Sequence, residues 1–181
     1  PTDGMRDEDL RWIMDINFWG VVNGTQAFLP QIKNGGEGHI INISSVFGLA
    51  AVPTQGGYNA SKFAVRGYTE ALRQELDMAR SKVSATSVHP GGIRTAIAKS
   101  ARFSDAMQTL GGTSESSAKA KFEKLFMTSP ERAAKVILDG VKHNRRRILI
   151  GPDARIIDAA VRLMPELYQT AVVRFTRRVL A

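Results

Sequence analysis

The stretch from Gly38 to Lys62 reads GHIINISSVFGLAAVPTQGGYNASK and combines a strand pattern, a glycine-containing loop and the start of a helix. Its isoleucine-rich run predicts a strand over residues 39–45 that is buried on both faces, as in a parallel sheet. Tyr58 and Lys62 follow the loop four residues apart, so they share one face of a predicted helix. Because a nearby ammonium group favours the phenolate, this stretch is a candidate site of proton transfer.

The apolar periodicity outside this stretch predicts alternating helices and strands. In order they are helix 5–33, strand 39–45, helix 58–80, strand 83–88, a helix that opens at Ser129-Pro130, strand 147–151 and an amphipathic helical tail at 152–181 interrupted at Pro165. This order predicts an α/β fold with right-handed βαβ crossovers and a parallel sheet. Residues 1–151 would form the main domain, with a lid of one or two short helices at 95–128.

The composition restricts the class of protein. Cysteine is absent, which excludes disulfides, thiol nucleophiles and cysteine metal sites and fits a reducing compartment. No run of 18 apolar residues and no secretory leader is present, so we expect a cytoplasmic protein. The three histidines are scattered, and we expect structural roles for them and no metal site.

The net charge is +8, from 25 lysines and arginines against 17 acidic residues. Such a balance suits nucleic acid, an anionic membrane or a phosphate-bearing ligand. We expect no nucleic-acid binding, because the basic clusters lack interleaved aromatic residues in a recognisable module. The tail at 152–181 mixes apolar residues with arginines, so it could contact a membrane surface peripherally or dock on the domain or on another subunit.

Several polar features are expected at one edge of the sheet, because ligands of open parallel sheets bind beyond the carboxyl ends of the strands. Ser45 ends the first predicted strand, and Pro90-Gly91 ends the second. Tyr58 and Lys62 lie in the first turns of the helix between those strands, hence at the same edge. The sequence therefore predicts that all of these residues converge.

The chemistry of these side chains suits the movement of one proton to or from an alcohol or carbonyl oxygen. Lys62 would lower the pKa of Tyr58, and Ser45 would donate a hydrogen bond to the substrate oxygen. Asn17 is a polar amide within an apolar helical run and must find partners. It is either a satisfied core asparagine or a residue that fixes a local backbone distortion and holds a water for proton exit.

The chain resembles the short-chain dehydrogenase/reductase family over about residues 5–151. The motifs that carry the resemblance are Asn17-Phe18-Trp19-Gly20, similar to the family's Asn-x-x-Gly helix, Asn42-Ile43-Ser44-Ser45-Val46-Phe47-Gly48, similar to its serine strand, Tyr58-Asn59-Ala60-Ser61-Lys62, similar to its Tyr-x-Ala-Ser-Lys helix, and Pro90-Gly91-Gly92-Ile93-Arg94-Thr95, similar to its Pro-Gly-x-x-x-Thr loop. The resemblance implies a Rossmann-like, doubly wound parallel sheet between two helix layers, of which this chain holds the second half.

The resemblance also implies the activity and the roles of the residues. Hydride would pass between NAD or NADP and an alcohol/carbonyl pair, with Tyr58 as acid/base, Ser45 and Tyr58 binding substrate, and Asn17 completing a catalytic tetrad. Lys62 would lower the pKa of Tyr58 and hydrogen-bond the nicotinamide ribose. The cofactor contacts would be Tyr58, Lys62, Pro90, Gly91, Ile93 and Thr95. A small alcohol or ketone substrate and a homo-oligomer through helices 5–33 and 58–80 are implied as well.

The lid sequence gives one weak indication about the substrate. Its apolar residues favour an apolar molecule, and they are Phe103, Met107, Leu110, Phe122, Leu125, Phe126 and Met127. The sequence does not indicate which alcohol or ketone binds.

The sequence lacks the family's Gly-rich turn, its Asn-Asn-Ala-Gly strand and the residue that selects NAD or NADP. Relative to the family, roughly 90 residues, about three βα units, are absent from it. We therefore expect strand 39–45 to be a sheet edge. Three interpretations stay open: part of a longer enzyme, a truncated product that pairs with another chain, or a degenerate scaffold that binds without catalysis.

Overall fold

The computed structural model describes residues 2–96 and 126–180. Its elements are helix α1 (Asp7–Met14), a π-helical turn (Asp15–Trp19), α2 (Gly20–Asn34), strand β1 (Gly38–Ile43), a 3₁₀ turn (Val46–Gly48), α3 (Gly56–Met78), β2 (Val83–Pro90), α4 (Pro130–Lys142), β3 (Arg147–Ile150), α5 (Pro152–Leu163) and α6 (Leu167–Leu180). The predicted order of helices and strands is confirmed.

The three strands form one parallel sheet in the order β1-β2-β3. Gly38 pairs with Val83 and Ile43 with Val88, while Val88 also pairs with Ile148. Parallel neighbours joined by a helical crossover are the arrangement predicted from the sequence. Among the described residues β1 is an edge strand, as expected.

One face of the sheet, called here the α3 face, is covered by α2 and α3. Its buried core consists of Ile40, Leu72, Leu76, Val83 and Ala85, with Leu29 and Ile32 of α2 packed against it. The helical period of α3 places leucines on the strand side, so this face is closed across β1 and β2.

The opposite face, called here the α4 face, has a second core made of Val88, Ala133, Ile148 and Ile150. A side chain at Gly140 of α4 would overlap that of Ile148, so the absence of a Cβ permits this close packing. On the same face Ile41 is 37% exposed and Ile43 is 42% exposed. The prediction that this strand is buried on both faces is wrong for the described residues, because α4 covers only the β2–β3 side.

The predicted helix at 5–33 is helical from Asp7 onward, but it is not regular. A π-helical turn spans Asp15–Trp19 and separates α1 from α2, and α2 continues through Pro30 to Asn34. The predicted helix at 58–80 lies at Gly56–Met78, so Tyr58 is its third residue.

The C-terminal part follows the predicted pattern. The Ser129 side chain accepts a hydrogen bond from the amide of Arg132 and caps α4, which has proline in its first turn. The tail forms α5 and α6 with a break around Pro165. Ala154 in the first turn of α5 is fully buried, so the start of the tail packs on the domain. The division at residue 151 stays a prediction, and most of the predicted lid at 95–128 lies outside the described residues.

Candidate active site

The end of β1 is locked to its neighbours by backbone and serine hydrogen bonds. The amide of Ser44 donates to the Val88 carbonyl oxygen at 2.8 Å, and its hydroxyl donates to the Lys62 carbonyl oxygen at 2.8 Å. The Ser45 hydroxyl accepts from the Phe47 amide at 3.1 Å and caps the 3₁₀ turn. A Cβ at Gly48 would overlap Ser44 and crowd the Lys62 carbonyl, so this glycine lets the loop approach α3.

Tyr58 lies beside both residues with which its chemistry was predicted to be coupled. The Ser45 side chain lies close enough to that of Tyr58 to act on its pKa. The ammonium of Lys62 is 5.6 Å from the centre of the Tyr58 ring. Phe47 packs edge-on against the ring with a centroid distance of 6.0 Å. The structure therefore brings Ser45, Tyr58 and Lys62 together beyond the carboxyl end of β1.

The protonation of Tyr58 differs from the expectation that its pKa is lowered. Burial raises the pKa of Tyr58 above its usual value of 10.0, and the interaction with the Ser45 side chain only partly opposes this. Desolvation penalises the phenolate, and this effect outweighs the favourable interaction with Ser45. The net shift of the Tyr58 pKa is upward, which favours the phenol at neutral pH, and the lowering of this pKa by Lys62 stays a prediction.

Lys62 is half-buried, and its ammonium donates to the Ile43 carbonyl oxygen at 3.1 Å. Burial lowers the pKa of Lys62 from its usual 10.5, since the charged form loses hydration. The contact with Ile43 links the end of the edge strand to the helix that carries Tyr58.

Asn17 lies in the π-helical turn, so the predicted local backbone distortion is present at this residue. Its amide nitrogen donates to the Ser61 hydroxyl at 3.1 Å, and Ser61 donates to the Tyr58 carbonyl oxygen at 2.8 Å. The amide thus reaches the backbone of Tyr58 through Ser61. The sequence reasoning did not single out Ser61, although its position three residues after Tyr58 places it on the adjacent helical turn.

The Pro90–Thr95 segment leaves the end of β2 as a fixed loop. The Gly91 amide donates to the Ile150 carbonyl oxygen at 2.9 Å, and Ile93 forms an isolated parallel bridge with Thr128. The Thr95 amide donates back to the Ile93 carbonyl oxygen at 2.8 Å. The Gly92 amide donates at 2.7 Å to Asp153, which the sequence reasoning missed. Its only signal was an acidic residue directly after the third strand, at the same sheet edge.

His89 is fully buried directly behind Ser45, in keeping with a structural role. Its Nδ1 lies 3.0 Å from the Ser45 carbonyl oxygen and its Nε2 lies 3.0 Å from the Ser87 hydroxyl. A carbonyl oxygen can only accept, so Nδ1 carries the proton and Nε2 accepts from Ser87. Burial lowers the pKa of His89, which agrees with a neutral ring.

The chain is similar to proteins of a known family. A family model described as short chain dehydrogenase matches residues 1–105. The chain belongs to the short-chain dehydrogenase family. It is 50% identical over 171 residues to SadH of Mycobacterium tuberculosis, a protein named as an oxidoreductase, with 94% of this chain and 60% of that protein covered. It is 33% identical to YxnA of Bacillus subtilis, also named as an oxidoreductase, with 88% of this chain and 42% of that protein covered.

Solved structures agree with the fold. A short-chain dehydrogenase/reductase from Burkholderia phymatum in complex with NAD superimposes with a TM-score of 0.76 at 25% identity, covering 91% of this chain and 61% of that one. A short-chain dehydrogenase from Burkholderia cenocepacia in complex with NADP gives a TM-score of 0.72 at 23% identity, covering 92% and 60%. The fold is thus the predicted Rossmann-like type, and the chain spans about 60% of the length of SadH and of these two structures.

In residues 2–96 and 126–180, no group of three histidine, cysteine or acidic side chains is placed to hold a metal ion. No helix in that part of the chain has the length and apolarity needed to cross a bilayer.

Proposed function

We propose that this chain carries the acid/base part of an NAD(P)-dependent oxidoreductase that interconverts an alcohol and a carbonyl compound. The observation that carries the proposal is the placement of Ser45 and of the Lys62 ammonium beside the Tyr58 side chain, at the carboxyl edge of a parallel sheet. Ligands of such sheets bind at that edge. The family of the chain and the oxidoreductase names of its relatives support the same assignment.

Tyr58 is the proton donor in carbonyl reduction and the acceptor in the reverse direction. The raised pKa of Tyr58 favours the protonated phenol, which is the form that donates a proton to a carbonyl oxygen. Ser45 binds that oxygen through its hydroxyl, while Lys62 supplies positive charge beside the developing phenolate. Asn17 holds the π-helical turn against Ser61 and carries the water that exchanges protons with the solvent.

The donor set fits a nicotinamide cofactor. Lys62 is half-exposed and Thr95 is exposed, so an ammonium and a hydroxyl are available beyond the strand ends. Tyr58 and Lys62 would hold the nicotinamide ribose, and Pro90, Gly91, Ile93 and Thr95 would hold the carboxamide and phosphate. When bound, NAD or NADP supplies or removes the hydride, and the choice between the two stays open. Neighbouring structures of the family bind either one.

Replacement of the proposed acid tests the function. Tyr58→Phe removes the ionisable hydroxyl, and we expect carbonyl-dependent oxidation of NADH or NADPH to fall by about 10²- to 10⁴-fold. Tyr68→Phe is the matched control, because Tyr68 lies on the same helix and packs against Phe18 away from Ser45. Tyr58→Phe at the wild-type rate across a panel of aldehydes and ketones would exclude this mechanism.

The alternative is a degenerate family member that binds without catalysis. Calorimetry of NADH and NADPH binding to the wild-type chain distinguishes this alternative from the enzyme. Absence of binding together with absence of turnover would favour the scaffold interpretation. Ser45, Tyr58, Lys62 and Asn17 are all retained, which favours the enzyme.

We also propose self-association through the two long helical segments. Trp19 and Phe28 on the first are 50% and 60% exposed, and Phe63 on the second is 39% exposed. Burial of such side chains against a second copy would remove apolar area from water. Sedimentation at micromolar concentration should show at least a dimer, and a single species of 19.8 kDa would contradict this.

The helical tail is proposed to contact an anionic membrane surface peripherally. Ile156, Leu163 and Phe175 are 69%, 80% and 56% exposed, and α6 carries arginines but no acidic residue. The charges complement anionic lipid, and the apolar side chains can enter the interface. Phosphatidylserine vesicles should bind the chain more than neutral vesicles do, with equal binding as the contradicting result. A cytoplasmic location stays a prediction.

A further inference from the structure

The Asp153 carboxylate lies where three parts of the chain meet: the end of β2, the end of β3 and the first turn of α5. Its Oδ2 accepts the Gly92 amide at 2.7 Å. Its Oδ1 is buried and has no hydrogen-bond partner among the described residues. Burying a carboxylate oxygen without a hydrogen-bond donor costs free energy, so this oxygen calls for a structural explanation. The positive end of the helix dipole of α5 favours the charge.

Two glycines make room for this carboxylate. A Cβ at Gly91 would overlap both oxygens and the carboxyl carbon of Asp153, and one at Gly151 would overlap Oδ1. Gly151 also has a φ of +96°, which L-residues with side chains rarely adopt. The backbone of both strand ends is therefore shaped around the Asp153 side chain.

The loop that Asp153 holds is the one assigned to the nicotinamide end. Its first residue is tied to β3 through the Gly91 amide and Ile150. Its middle is tied to Thr128, whose amide donates to the Gly92 carbonyl oxygen at 3.1 Å. Asp153 makes the third contact with the loop, because its carboxylate accepts a hydrogen bond from the Gly92 amide. Without that acceptor, the Gly92 peptide could rotate and displace the two residues proposed to contact cofactor, Ile93 and Thr95.

We propose that Asp153 is a positioning residue for the cofactor loop: its carboxylate fixes the Gly91–Gly92 backbone so that Ile93 and Thr95 are presented to the nicotinamide end of the dinucleotide. This inference rests on the proposed function, because it needs the loop to bind that end. Asp153 itself does not touch the cofactor and acts through Gly92. The hydrogen bond to a charged acceptor is stronger and more directional than one to a neutral group.

Amide exchange and ligand affinity test this assignment together in the 181-residue chain. The probes are NADH, NADPH and reduced nicotinamide mononucleotide, which has only the nicotinamide end. For Asp153→Ala we expect loss of Gly92 amide protection and an increase of about tenfold in the Kd of all three, as for one lost charge-assisted hydrogen bond. Asp153→Asn keeps an acceptor for Gly92 and should restore Kd to within about threefold.

Asp158→Ala is the matched control on the same helix. Asp158 pairs with Arg147 at 3.2 Å and Arg162 at 3.0 Å, away from the loop, so its loss affects stability but not Gly92 protection or Kd. If Asp153→Ala does not fold, Asp153→Ser gives the same reading, because its shorter side chain still suits a helix start but does not reach Gly92.

The outcomes separate this inference from the function on which it rests. Unchanged Kd in Asp153→Ala, or an equal rise of Kd in Asp158→Ala, would overturn the positioning role while the cofactor assignment stands. Failure of Asp153→Asn to restore the affinity would also overturn it, because the Gly92 acceptor would then not be the cause. If the wild-type chain binds none of the three nucleotides, the proposed function fails and this inference fails with it.

Discussion

Ile43, Val88 and Ile148 lie in one row across the sheet, and their environments differ. They are register partners on β1, β2 and β3, so their side chains point to the same face. Val88 is 0% exposed and Ile148 is 4% exposed, whereas Ile43 is 42% exposed. The α4 face is therefore closed over β2 and β3 and open over β1 within the described residues.

The two parts of the candidate site are therefore supported by different packing. Tyr58 and Lys62 belong to α3, whose leucines close the α3 face over both β1 and β2. The proposed cofactor loop depends on the β2–β3 side and on Asp153. The residues proposed for proton transfer are thus supported on the covered α3 face, even though β1 is partly exposed on the α4 face.

The largest expected effect is on the free energy of unfolding, and it distinguishes the two isoleucines of the row. Ile148→Ala should lower the free energy of unfolding by about 3 kcal/mol, because it leaves a cavity among Val88, Ala133 and Ile150. Ile43→Ala should cost less than about 1 kcal/mol, because its side chain already contacts solvent. Urea unfolding of both variants measures the difference. Equal losses would mean that the β1 side of this face is covered in solution.

Much of the site follows from local sequence. The helical period places Tyr58 and Lys62 on one face, and the strand–helix–strand order brings them to the edge where Ser45 and Pro90 end their strands. That arrangement needs no knowledge of distant packing, and the predicted convergence of Ser45, Tyr58 and Lys62 is found in the structure.

Other features depend on packing that no local pattern specifies. An isoleucine run indicates apolar residues, but which faces are covered depends on where α4 lies. The upward pKa shift of Tyr58 depends on the balance between burial, which raises the pKa, and the interaction with Ser45, which lowers it. Asp153 has the ordinary appearance of an acidic residue in a first helical turn, and only the geometry shows its contact with Gly92.

A second, smaller effect is on the pH dependence of stability, to which one histidine on each face contributes. His39 lies on the same side of β1 as Ile43 and is half-buried, while His89 lies on the α3 side of β2 and is fully buried. Burial lowers the pKa of both. The unfolded chain therefore binds protons below about pH 6.5 that the folded chain does not, so stability is complete above that pH and falls as the pH drops toward the folded values.

Replacement of each histidine by asparagine separates the two contributions. His89→Asn should remove the larger part of the acid loss, because the ring of His89 is the more deeply buried. Urea unfolding on both sides of about pH 6.5 measures it, with His39→Asn as the paired variant. A steeper acid loss in His89→Asn than in the wild type would contradict the assigned direction. A larger reduction of the acid loss in His89→Asn than in His39→Asn would show that the covered face carries more of the pH dependence than the open one.

The smallest effect concerns the helices that support the covered face. Asn17→Ala removes the hydrogen bond to Ser61 and should cost about 1 kcal/mol of unfolding free energy, because it frees the π-helical turn from α3. Asn23→Ala is the matched control, since Asn23 is exposed on α2 and should have almost no effect. A double-mutant cycle with Ser61→Ala should show that the two losses are coupled, because both remove the same bond. Additive losses would mean that packing holds Asn17 in place. In that case α3 alone, without the hydrogen bond from Asn17 to Ser61, would support Tyr58.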